Sequence, residues 1–225
     1  MCGRFTLRTN AAALVEHFGG ELPFDVPLRY NIAPTQPVAT VRISPDDGCR
    51  RWQMVRWGLI PSWAKEESIG NRMINARAET LTEKPSFRSA WRRRRCLIPA
   101  DGYYEWQKTG KSKQPFYIRL RDDSPFAMAG LWESWMNPAT GAPVESCTVI
   151  TTDANELTRP IHDRMPVILH AADYDRWLDP QLPNLDPLRE LLRPFDSLAM
   201  RADPVSTLVN NPRNDDPRCV EVAGT

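Results

Sequence analysis

Histidine and paired cysteine are what this 225-residue chain has least of. It carries three His and five Cys, and the cysteines, at positions 2, 49, 96, 147 and 219, form no C-x-x-C pair and have no matching pair of His. That argues against a zinc site, and an odd, widely spaced set argues against a disulfide framework. No run of about 18 apolar residues occurs, the length needed to cross a bilayer as a helix. The opening MCGRFTLRTN holds two Arg and no apolar stretch, so a secretory signal is not expected and cytoplasmic residence is. With no internal repeat, long linker or low-complexity tract, one domain over residues 1–225 is expected. A monomer is expected too, with no metal, no cofactor and no membrane partner.

Net charge is also nearly absent: 29 Lys and Arg against 28 Asp and Glu give +1. The distribution along the chain is uneven. Residues 1–113 hold 19 basic and 11 acidic side chains, residues 114–225 hold 10 and 17. If the basic residues gather on one face they can form a nucleic-acid groove; scattered, solvated charge is the alternative.

The patterning predicts an α+β, β-dominated fold, an antiparallel sheet curled into a partly closed barrel with short flanking helices. Residues 10–20 predict a helix: Asn10 can cap it, Ala11, Leu14, Val15 and Phe18 share a face, and Gly19 and Gly20 stop it. A second helix is predicted over 84–95, where Pro85 suits a first turn. RYNIAP (29–34), VATVRI (38–43) and RWQMVRWGLIP (51–61) read as extended, as do CLIPA, GYYEW, PFYIRL, PFAMAGLW and SCTVITT farther on. Helical patterns return at 153–157, 172–178 and 186–193. Cys96 and Cys147 fall in apolar strand-like runs and are expected to be buried, inert thiols.

Cys2 is different because trimming of Met1 would leave it with a free α-amine beside its own thiol. Such a 1,2-aminothiol condenses with an aldehyde to an imine, and the thiol then closes on the imine to give a thiazolidine. An α-amine of pKa about 7.7–8.0 is partly neutral at pH 7, whereas Lys, near 10.4, is hardly so. Three further segments embed polar groups in apolar surroundings. INARAET (74–80) places Asn75, Arg77 and Glu79 on one side of an extended segment. PADGYYEW (99–106) sets Glu105 among aromatics, the environment that raises a carboxyl pKa and suits a general acid or base. PIHDRMPVIL (160–169) puts His162, Asp163 and Arg164 before a strand-like run. On these residues alone, a structural role remains open for His162 and a core ion pair for Glu105.

In order along essentially the entire chain, MCGRF, RYNIAP, WGLIP, INARAET, FRSAWRRRRCLIPADGYYEW, TTDAN, PIHDRMPVIL, WLDP and PVSTLVNN resemble the SRAP (SOS response-associated peptidase) family of abasic site processing proteins. The resemblance implies a sensor and shield of abasic sites in single-stranded DNA, associated with the nucleoid when bound. It implies a thiazolidine DNA–protein crosslink through Cys2, lyase activity as a side path, and a peptidase activity that in its simplest form removes Met1. It further implies that Asn75 orients Cys2 or the opened sugar, that Glu105 shuttles protons, and that His162 protonates the sugar oxygen.

For DNA, Arg4, Arg77 and Arg164 can pair with phosphates, and Trp63, in the loop WGLIPSWAK, can stack on a base or cover the core. Ala64 stands where some members of the family carry a second Trp. Thr151 and Asn31 are further polar candidates. The Arg92–Arg95 run spreads around a helix and cannot face one strand as a unit, so one or two structural ion pairs are expected of it, with the rest solvated. Two other readings stand beside the abasic-site reading: an N-terminal-nucleophile hydrolase, either an amidohydrolase or, in the stronger version, a thiol peptidase using Cys2, His162 and Glu105, and a non-catalytic single-stranded DNA-binding module.

Overall fold

The structure is a computed structural model that describes residues 2–110 and 112–223. Its strands are β1 (Phe5–Leu7), β2 (Arg29–Ile32), β3 (Pro37–Ile43), β4 (Arg50–Trp57), β5 (Asn75–Arg77), β6 (Arg95–Ala100) and β7 (Gly102–Thr109), followed by β8 (Ser112–Leu120), β9 (Phe126–Met136), β10 (Pro143–Asp153), β11 (Arg164–Pro166), β12 (Ile168–Leu169) and β13 (Met200–Pro204). Four short helices join them: α1 (Ala11–Phe18), α2 (Pro85–Arg93), α3 (Tyr174–Leu178) and α4 (Asp186–Arg189). The α+β, β-dominated expectation holds. No described helix is long and apolar enough to cross a membrane.

Five strands close on themselves. β10 pairs with β4 in parallel, β4 with β3, β3 with β6, β6 with β9 and β9 back with β10, all antiparallel after the first. Closure removes the free edges that an open sheet would expose. A second, fully antiparallel sheet runs β13-β8-β7-β1-β2. The two share an apolar core that holds Phe5, Trp57, Leu97, Tyr103, Leu131 and Val149.

Local chemistry sets the elements where the pattern pointed. The Asn10 side chain accepts from Ala13 N at 3.0 Å to cap α1. At the other end Gly19 and Gly20 both take positive φ, and a Cβ on Gly20 would lie 2.7 Å from the Arg50 carbonyl oxygen. α2 begins at Pro85 and buries Phe87, Ala90 and Trp91.

Three helical expectations are corrected. α2 stops at Arg93, two residues short, because Arg95 opens β6 with its guanidinium inside the fold, donating to the Trp91, Arg92 and Trp177 carbonyls at 2.7–2.9 Å and to that of Asp179. These are carbonyls at the C-terminal ends of α2 and α3, where a cation is favoured; burial lowers the Arg95 pKa to about 10. Of the Arg run, Arg94 alone makes an ion pair among the described residues, with Glu133 at 2.7 Å, while Arg92 and Arg93 are exposed. Residues 153–157 form no helix: Asp153 still pairs with Arg164 in the sheet, and the Asn155 side chain accepts from both N and Oγ1 of Thr158 at 3.0 Å, closing a turn instead. The last helix ends at Arg189 rather than 193.

Candidate active site and nucleic-acid interface

The far end of β10 carries two short strands. Val149 and Thr151 register against Asn75 and Arg77 of β5, and Thr151 and Asp153 against Pro166 and Arg164 of β11. Paired residues share a sheet face, so Asn75, Arg77, Thr151 and Arg164, scattered over 90 positions of sequence, come to one side. The base of the Trp63 loop is tied in beside them: Leu59 N donates to the Met73 carbonyl at 3.1 Å and Trp57 Nε1 to that of Ile74 at 2.9 Å.

Cys2 lies where this patch meets the second sheet. It is fully buried, and its carbonyl accepts from Asn75 Nδ2 at 2.9 Å. Burial, with the charge of Glu105 adding to it, pushes the Cys2 thiol far above the ordinary range. Glu105, on β7, is itself buried, and burial raises its carboxyl against the pull of nearby positive charge that includes His162. His162 Nδ1 lies 3.0 Å from Arg164 N, which can donate to it, and 3.0 Å from Asp163 Oδ1. The four expected catalytic residues therefore converge. Met1, on which the trimming expectation turns, lies outside the described residues.

Several polar groups of this region have hydrogen-bonding capacity in reserve. Among the described residues, the buried Asn75 Oδ1, Thr151 Oγ1 and Tyr103 hydroxyl have no partner. Buried polar groups are ordinarily satisfied, so such a cluster points to a ligand that supplies the missing partners. A cavity of about 950 Å³ between α1 and residues 20–25 contains none of these residues.

What fixes Cys2 is the anchoring of β1. Asp101 follows β6 and is buried, and it accepts hydrogen bonds from Thr6 Oγ1 and Arg8 N, from Arg8 Nε at 3.2 Å, from Thr9 N at 3.0 Å and from Thr9 Oγ1 at 3.3 Å. The Tyr117 hydroxyl joins the network, 3.0 Å from Thr6 Oγ1, and passes so close to Gly102 that a Cβ there would lie within 2.4 Å of it. The sequence pattern alone does not mark Asp101 as this anchor. Nor does it mark Tyr103, although the alternation that exposes Glu105 to the site places Tyr103 on the same face.

The expected DNA-binding residues divide sharply. Arg77 is exposed, and its guanidinium makes no ion pair among the described residues. Trp63 is 58% exposed, while its neighbour Ala64 packs with Ile60 against Trp135, whose Nε1 donates to the Ala64 carbonyl at 2.7 Å. The tight seat of Ala64 leaves Trp63 projecting outward, so Trp63 does not cover the core. Arg4 is half-buried and bonds to neutral oxygens, Asn31 Oδ1 at 2.9 Å and the Val209 carbonyl at 2.7 Å, and no carboxylate pairs with it among the described residues. Arg164 is the opposite case: Glu79 at 2.7 and 3.0 Å, Asp153 at 2.7 Å and the Thr151 carbonyl at 2.7 Å all take its guanidinium. Asn31 and Thr151 are fully buried, and Asn31 spends its amide on the Val209, Asn211 and Asn214 carbonyls. The Asn31 amide is thus committed within the protein, whereas Thr151 Oγ1 is one of the unpartnered groups among the described residues.

Comparison with known proteins agrees with this architecture. The family model for SOS response associated peptidase (SRAP) matches residues 1–212. Abasic site processing protein YoqW of Bacillus subtilis (strain 168) is 48% identical over 225 residues, which cover 98% of this chain and 99% of YoqW. Abasic site processing protein HMCES of Xenopus tropicalis is 39% identical over 189 residues, 74% of this chain and 56% of that longer protein. The crystal structure of a Bacteroides thetaiotaomicron protein superimposes with a TM-score of 0.88 at 31% identity, covering 99% of this chain and 100% of that one. A match that runs from the segment carrying Cys2 through β5, β7 and β11 to the tail holding Arg4 makes this chain a member of the SOS response associated peptidase (SRAP) family.

Proposed function

We propose that the protein senses and shields abasic sites in single-stranded DNA by capturing the ring-opened sugar covalently on Cys2. The observation that carries the reading is the placement of a buried Cys2, held through its carbonyl by Asn75, beside a carboxyl that burial keeps above its usual range. With Met1 removed, the Cys2 α-amine adds to the aldehyde carbon. The carbinolamine then loses water to an iminium, and the thiol sulfur closes on the same carbon as its proton leaves. His162, as an imidazolium, can protonate the sugar oxygen as the ring opens, and Glu105 can carry protons between amine, leaving water and thiol. If ring closure is delayed, the iminium permits β-elimination of the 3′ phosphate, giving lyase activity as a side path. Hydrolysis of the bond after Met1, which exposes Cys2, is the simplest form of the peptidase chemistry that the family's name records.

A thiol peptidase built on Cys2, His162 and Glu105 is the second reading. A peptidase thiol works as a thiolate, formed by a lowered pKa or an adjacent base. The Cys2 thiol is pushed the other way by burial, which supports attack by the amine first.

For the strand itself, Arg77 and the uncancelled charge of Arg4 serve as phosphate contacts, and Trp63 stacks on a base. Arg164 holds β5, β10 and β11 together. The test uses Met1-processed protein and single-stranded DNA bearing one abasic site, read on a denaturing gel. A heat-stable adduct from the wild type and none from Cys2→Ala is expected. An equally stable adduct from Cys2→Ala sinks the proposal, and cleavage of peptides without any adduct would favour the peptidase.

A further inference from the structure

Four tyrosines are buried in this fold, at positions 103, 104, 117 and 174. Three have hydroxyl partners. Tyr104 donates to the Tyr30 carbonyl at 2.7 Å, Tyr117 joins the Thr6 and Asp101 network, and the Tyr174 oxygen accepts from Ala127 N at 3.2 Å. Tyr103 alone among them, fully buried, makes no hydrogen bond among the described residues. A phenol in that state costs free energy that a phenylalanine in the same space would not. Such a cost is expected where the hydroxyl meets its partner only during function.

The pleat of β7 indicates that partner. Tyr104 faces the small cluster with Tyr117, Val209 and Cys219, whereas Tyr103 lies in the main core cluster with Cys2 and shares its strand face with Glu105. We infer that the Tyr103 hydroxyl is a catalytic hydrogen-bond donor to the Cys2 sulfur, acting while the thiol loses its proton and closes on the iminium carbon. The inference rests on the capture reading above. In the closing step the sulfur forms the C–S bond, its proton passes to the Glu105 carboxylate, and the C=N π pair returns to nitrogen. Tyr103 keeps its own proton throughout, as a phenol pushed well above its ordinary pKa, by burial first and by Cys2 and Glu105 next, is suited to do. A donor at the sulfur offsets the two effects that resist ionisation of the thiol, burial and the charge of Glu105.

The test is the partition between closure and elimination in Tyr103→Phe, with processed protein and single-stranded DNA carrying one abasic site. Borohydride trapping reads imine formation, the heat-stable band reads closure, and strand scission reads elimination. Loss of one hydrogen bond to a developing charge should slow closure by about tenfold with imine formation unchanged. Scission then rises relative to the stable crosslink, while the melting temperature stays level or increases. Wild-type partition in Tyr103→Phe overturns the inference, as does an equal slowing of imine formation and closure, which a structural role would give. Absence of any adduct from the wild type overturns the capture reading and this inference together, whereas a normal wild-type adduct with an unchanged variant overturns this inference alone. Should the Phe protein fail to fold, 3-fluorotyrosine at position 103, a more acidic donor, should speed closure, and an unchanged rate overturns the proposal.

Discussion

Two buried polar clusters lie on either side of β1, and they differ in how completely their atoms are satisfied. Around Asp101, two carboxylate oxygens take donors from Thr6, Arg8 and Thr9, and Tyr117 completes the network. Around Cys2, the Asn75 amide reaches the Cys2 carbonyl but its own oxygen is left over, with the Tyr103 and Thr151 hydroxyls in the same state among the described residues. The first cluster is a clamp, since removing one member strands buried partners. In the proposed capture the second holds its polar atoms ready for the sugar that arrives later. Burial does not separate them, because Asp101 and Glu105 are both 3% exposed. What separates structure from function here is the completeness of hydrogen bonding.

The largest effect that could break this comparison comes from the clamp. Asp101→Ala should destabilise the fold by about 3 kcal/mol, because it leaves several buried donors without an acceptor. Crosslinking should fall with it as β1 loses its hold on Cys2. A loss under about 1 kcal/mol in a urea titration would show that Asp101 is not the anchor.

Glu105→Gln should do the reverse, slowing crosslinking by about a hundredfold without loss of stability. The pH dependence has a definite sign. An unfolded Glu ionises near pH 4.3, whereas the folded Glu105 carboxyl does so only at higher pH. Its contribution is therefore fully present below about pH 4.3 and is lost as the pH rises through the folded value. Urea midpoints of wild type and Glu105→Gln should diverge over that interval in favour of Gln; parallel curves would remove the burial effect assigned to Glu105.

The arginines sharpen the same contrast on the surface. Arg164→Ala should cost about 1 kcal/mol of stability, modest because Glu79 and Asp153 are themselves largely exposed, and should barely change the salt dependence of DNA binding. Arg77→Ala should leave stability within about 0.5 kcal/mol yet reduce the slope of log affinity against log salt by about 1, measured by fluorescence anisotropy. Equal slopes for the two variants would erase the division drawn between them. The smallest effect is that of Trp63→Ala, about 1 kcal/mol of single-strand affinity with no change in melting temperature.

Much of this was legible along the chain. Asn10, the Gly19-Gly20 pair and Pro85 marked helix boundaries through capping and backbone preferences that act within a few residues, and the aromatic and β-branched runs matched β6 to β10 nearly run for run. The expected helix at 153–157 failed because Asn155 found a local turn partner in Thr158. Asp101 and Tyr103 were overlooked because a DG pair and an aromatic beside Glu105 look ordinary until their neighbours are known. That Asn31 and Thr151, polar candidates for DNA, are fully buried was likewise not legible along the chain.

The sequence by itself determined the strand alternation and the helix caps, since each depends on residues adjacent or nearly so. Only the tertiary structure decided that Asn75 meets Cys2, 73 residues away, and, among the described residues, that carboxylates neutralise Arg164 but not Arg4 and that Tyr103 keeps an unspent hydroxyl. Charge cancellation, burial and hydrogen-bond satisfaction are properties of what packs around a group, and strand pairing over long separations sets that packing.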